Sequence, residues 1–155
     1  MSDIETRREK LPVTLFIRGE QYFDDVDPDA TELVTEGTLE LTEEGLRLTY
    51  QETALTGMEG TTTTFEVSGP QEILRRAGTV NSQMVFEEGR RHLSMYNTPY
   101  GAMAIGVNTR HLLADLNDQG GDIEIDYAIE IDHAIAGRNV FQIKVKEADG
   151  ISLKQ

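Results

Sequence analysis

Hydrophobic and polar positions alternate with a period of two along most of the chain, the pattern of strands that bury one face. Leu11, Val13, Leu15 and Ile17 alternate with Pro12, Thr14, Phe16 and Arg18. After an acidic loop, Asp24 to Asp29, the residues Leu33, Thr35, Gly37, Leu39 and Leu41 share a face opposite Glu32, Glu36 and Glu40. A turn through Thr42, Glu43, Glu44 and Gly45 leads to a third strand, with Leu46, Leu48, Tyr50 and Glu52 on one side and Arg47, Thr49, Gln51 and Thr53 on the other. Gly57 and Gly60 mark a loop before the β-branched run that ends in Phe65 and Val67.

Ser68, Gly69 and Pro70 interrupt the pattern, and residues 71–77 fit either a helical turn or a strand; we read a short strand. Alternation resumes through Val80, Ser82, Met84 and Phe86, and Glu87, Glu88 and Gly89 repeat the chemistry of the first turn. The return strand sets Leu93 and Met95 against His92, Ser94 and Tyr96. It runs into Tyr96-Asn97-Thr98-Pro99-Tyr100-Gly101, where Pro99 and Gly101 predict a turn. Met103, Ile105 and Val107 then alternate with small residues, in a run ending near Leu116.

The clearest alternation sets Ile123, Ile125, Tyr127, Ile129 and Ile131 against Asp122, Glu124, Asp126, Glu130 and Asp132, a solvated acidic face. A turn around Ala136, Gly137 and Arg138 leads back through Phe141, Ile143 and Val145. A symmetric hairpin here would put Asp126 opposite Lys146. The reading is all-β, with eight to ten strands of one hydrophobic face each and no helical pattern. Such strands must bury that face and protect their edges, which an antiparallel barrel does; a two-sheet sandwich is the alternative. A charged tail over residues 1–10 precedes a single domain over residues 11–155.

Several residues in order carry a family resemblance: Leu48-Thr49-Tyr50-Gln51-Glu52, Gly57 and Gly60 leading into the strand from Thr63 to Val67, and Arg76-Ala77-Gly78-Thr79-Val80. Phe86 with Gly89, the stretch from Tyr96 to Gly101, Thr109, and the segment from Gly121 to Tyr127 extend it. The set resembles the bacterial YwiB-like family, a domain of unknown function. The resemblance implies a calycin-type, lipocalin-like barrel and supplies no catalytic or binding residues.

Composition narrows the chemistry. The 155 residues contain no cysteine, which excludes disulfides and thiolate chemistry and suits the cytoplasm. The tail has no apolar core of the kind a secretory signal needs, and no apolar run approaches a membrane span. A net charge of −14 disfavours nucleic-acid phosphates and anionic membranes as partners. The three histidines, His92, His111 and His133, share no ligand spacing, and no nucleophile–base set is visible, so no cofactor and no metal are expected. The acidic stretch from Asp25 to Glu36 is a poor calcium loop, with Ala30 where glycine is needed.

One carboxylate stands out. Glu52 shares the face of Leu48 and Tyr50, and a buried unpaired carboxylate is costly enough to demand a cation, either Arg75 or Arg76. Two readings stay open: Tyr50, Glu52, Arg76, Tyr96 and Tyr100 as polar anchors around a small, partly apolar ligand at the barrel rim, or an ion pair that plugs a packed barrel. A packed barrel would instead serve as an interaction or assembly module, using an exterior face around Phe16, Tyr22 and Val34.

Overall fold

The structure, a computed structural model, describes residues 10–22, 27–98 and 100–148, without the side chains of Tyr96 and Thr98. Ten strands run in order: β1 Lys10–Tyr22, β2 Asp29–Leu41, β3 Leu46–Gln51, β4 Thr61–Ser68, β5 Gln71–Gly78, β6 Asn81–Glu87, β7 Arg91–Thr98, β8 Gly101–Asn117, β9 Gly120–Ile131 and β10 Ala134–Glu147. Each pairs antiparallel with its sequence neighbours, and β1 pairs with β10 to close the barrel. An even strand number is what lets the first and last strands of such a meander meet antiparallel. The sandwich alternative falls.

Residues 71–78 form a strand throughout, which settles their helix-or-strand ambiguity. The inward face alternates as read in β1 to β4, in β6 and in β9. Val13, Leu15, Leu39, Leu48, Phe65 and Phe86 fill one half of the interior with Ile123, Ile125, Ile143 and Val145. Phe65 stacks on Phe141 and Phe86 tilts onto Tyr127, with centroids 5.5 and 4.8 Å apart. Gly37 permits close approach of β2 and β3, because a Cβ there would lie 2.5 Å from the Thr49 carbonyl oxygen.

Strand β7 reverses the face that its apolar residues suggest. Ser94 is buried, whereas Leu93 and Met95 are 69 % and 54 % exposed on the outside. The register explains it: Ser94 lies opposite Ile105 on the inner face of β8, and Leu93 opposite Gly106 on the outer. The β9–β10 hairpin is a second correction. Its turn is Asp132–His133, both at positive φ (54° and 68°), the backbone of a tight two-residue hairpin that Asp and His tolerate better than most residues. Gly137 instead sits at a register shift within β10. Asp126 therefore faces Val140, and Lys146 faces Gly120. Arg138 donates two hydrogen bonds to Asp126, at 2.9 and 2.8 Å, and these hold the carboxyl below its ordinary range.

The β7–β8 turn falls where Pro99 and Gly101 suggest: Thr98 and Gly101 are in register, and Gly101 has φ 122°. Pro99 itself, and Asp24, Asp25 and Val26 of the acidic loop, lie outside the described residues.

At the packed end, Glu72 points inward between Val67 and Phe86 in the register. It is 1 % exposed, and neither carboxylate oxygen has a hydrogen-bond partner among the described residues. Burial pushes its pKa up to about 8, so the folded chain holds a proton that the unfolded chain loses near pH 4.5. Stability contributed by the neutral form is therefore lost as the pH rises from about 4.5 to 8, and the loss levels off above that. Glu72→Gln should unfold at the same urea concentration as the parent near pH 4 and be more stable by a few kcal/mol at pH 8.5. Parallel pH profiles for the two proteins would show that Glu72 does not titrate in this window.

Candidate functional site

The opposite end of the barrel is open. Its geometry follows from unequal strand lengths. β1, β2 and β10 pair as far as Gln21↔Asp29 and Tyr22↔Arg138, but β3 stops at Gln51, level with Glu36 on β2. The β10–β1–β2 wall therefore stands above the β3–β4–β5 wall. A short 3₁₀ turn, Ala54–Thr56, sits on the low side; the Thr53 hydroxyl caps it by accepting from the Leu55 amide, and Gly57 ends it at φ 76°.

Between these walls lies a cavity of about 340 Å³, near the lower end of the range for small-molecule sites, about 300–1,000 Å³. It exists because the inward row of β1 changes character: Val13, Leu15 and Ile17 fill the barrel, and then Gly19 presents no side chain. A Cβ at Gly19 would meet only Phe141, at an ordinary 3.8 Å. Ile17, Leu33, Phe141, Leu55 and Met58 give the cavity its apolar lining.

The polar groups gather on the low wall. Glu52, 7 % exposed, accepts a hydrogen bond from the Thr56 hydroxyl at 2.9 Å on one oxygen and from the Thr63 hydroxyl on the other. Arg76 lies inward beside it, Nε to Oε2 3.7 Å, while Arg75 points out to Glu66 and Gln83. Alternation decides between the two arginines. The pair is close enough for strong Coulomb attraction in a half-buried site but too long for a hydrogen bond, and the buried Arg76 Nε has no hydrogen-bond partner among the described residues. Burial, and then the Glu52 charge, push the Tyr50 phenol well above its ordinary pKa, so its proton stays on as a donor. Burial raises Tyr127 as well, against the Arg76 charge.

Tyr50, Glu52 and Arg76 are thus brought together on the cavity wall. Tyr100 is not: it is 99 % exposed at the β7–β8 turn, on the same end of the barrel but outside the cavity lining. The Tyr96 side chain lies outside the described residues. Of the two threonines that anchor Glu52, Thr63 continues the inward row of Phe65, whereas Thr56 lies in a loop; the sequence reading also did not single out the high-wall residues Gln21, Asp29 and Asn139. Gly19 and Gln21 continuing the inward row of Val13 were a readable signal for the last group. The histidines lie elsewhere: His92 contacts Glu87 at 3.1 Å, and His111 contacts Glu88 and Glu124. Among the described residues no group of three or more His, Asp or Glu could hold a metal ion, and no helix is long and apolar enough to cross a membrane.

The chain belongs to the family described as Domain of unknown function (DUF1934), whose model matches residues 16–143. It is similar to the uncharacterized β-barrel protein YwiB of Bacillus subtilis (strain 168), with 23 % identity over 124 residues, covering 80 % of this chain and 85 % of that protein. The crystal structure of YwiB superposes with a TM-score of 0.80 at 20 % identity, covering 94 % of this chain and 98 % of that one. The likeness is one of fold, a closed antiparallel barrel.

The Glu52 cluster is testable by stability. Thr63→Val keeps the shape but removes the donor to a buried carboxylate, and should cost about 1–3 kcal/mol in urea unfolding. Thr64→Val, on the outward face, should stay within about 0.5 kcal/mol.

Proposed function

We propose that the protein captures a small, partly apolar molecule in the open end of its barrel. The observation that carries this reading is the cavity itself, walled by Phe141, Leu33 and Met58 on apolar surfaces and by Tyr50, Glu52 and Arg76 on its polar side. An ion pair serving only as a plug would fill the space above it; this pair leaves the space open. In this reading the fold works as a lipocalin-like container, with ten strands where lipocalins have eight. The absence of cysteine supports a reducing compartment, and the −14 charge argues against nucleic acid or an anionic membrane as partner.

A docking role for the exterior is the second reading. Leu93 and Met95 on β7 favour it more than Phe16 does, because Lys146 lies over the Phe16 ring at 5.6 Å; Val34 is exposed as they are. Tyr22 is likewise covered, by Arg138 at 5.1 Å.

Gly19→Leu separates capture from mere architecture. Gly19 has space at its Cβ, so leucine there should fill the cavity without unfolding the barrel. Titration with the uncharged fluorophore 1-aminoanthracene should give a saturable one-to-one enhancement with the parent and none with Gly19→Leu, at an unchanged or higher melting temperature. Equal enhancement in both proteins would sink the cavity as the binding site.

A further inference from the structure

The charges of the cavity point to the kind of molecule it takes. Four charged side chains line it: Glu20, Glu52, Arg76 and Asp29. Glu20 is paired with Arg18 at 3.2 Å. Glu52 and Arg76 neutralise each other across 3.7 Å. The Glu52 oxygens are further occupied by Thr56 and Thr63, so little of that carboxylate is left for a ligand. Asp29 is different. It opens β2 at the mouth, on the face that continues through Thr31 and Leu33 into the cavity, and among the described residues no cation pairs with it. The registers Gln21↔Asp29 and Gln21↔Asn139 set it abreast of two neutral amides on neighbouring strands.

An anion entering this mouth would meet the Asp29 charge and the field of a chain with net charge −14; a cation would be drawn by both. Resting on the capture reading above, we infer that the molecule taken is a small amphipathic amine. Its ammonium group sits at the mouth against Asp29, Gln21 and Asn139. Its apolar body lies along Ile17, Leu33 and Phe141. Salt should weaken the charge preference and leave the apolar contribution, because the mouth is exposed to solvent.

The test uses the full chain and three probes of one shape: 3-phenylpropylamine, 3-phenylpropanol and 3-phenylpropanoate, titrated by calorimetry at pH 7 in low salt. The amine should bind about tenfold more tightly than the alcohol, and the acid more weakly than either. Asp29→Asn should bring the amine to the level of the alcohol, leaving the alcohol unchanged, and Gly19→Leu should abolish all three. If the alcohol and the acid bind as well as the amine, the cavity captures small molecules but the charge assignment is wrong. An amine preference that survives Asp29→Asn overturns the charge assignment in the same way. If none of the three binds at millimolar concentration to the parent, and 1-aminoanthracene does not bind either, capture itself is overturned and this inference goes with it.

Discussion

Closing a sheet on itself leaves the first and last strands no choice but to pair, and the rest of this molecule is arranged around that requirement. β1 holds β2 on one side and β10 on the other over nearly its whole length. A strand with two full-length partners can run long, because its backbone donors and acceptors are satisfied all the way up. β3 to β5 also have a partner on each side, but they stop earlier. The tall wall and the low wall, and hence the mouth between them, follow from where ladder hydrogen bonds continue and where they end.

The interior is divided between packing and polarity. Over the lower half, aromatic and branched side chains from facing strands fill the space, and burial of this apolar surface supplies the main driving force for folding. The two buried carboxylates lie toward opposite ends and solve the cost of burial differently. Glu52 keeps its hydroxyl donors and its arginine. Glu72 has neither, and its proton takes the place of a partner. One arrangement surrounds its carboxyl group with donors and a cation, and the other leaves it among apolar side chains.

Much of this was legible in the chain, and the failures have physical causes. Period-two alternation identified the strands and gave the inward position of Glu52, because side-chain direction in a strand is strictly periodic. It also required that one of Arg75 and Arg76 turn inward. It failed at β7 because Leu93 and Met95 are apolar residues on the outside, and hydrophobicity alone then selects the wrong phase. The last hairpin was misplaced because glycine at 137 looked like the turn, while Asp132 and His133 adopted the left-handed backbone instead. Thr63 was hidden in a polar run, Thr56 in a loop to which alternation does not apply, and Asp29 because the height of a wall depends on partners distant in the chain. Tyr100 drew attention as an aromatic at a turn, and its side chain is outside the cavity lining.

The 3₁₀ turn on the low wall has a consequence for substitution. Residues 54–58 hang between β3 and β4, contribute Leu55 and Met58 to the mouth, and belong to no ladder. Substitutions there can reshape the mouth while the closed sheet beneath keeps its registers. The shape of the mouth can therefore change at residues 54–58 without the loss of a ladder hydrogen bond.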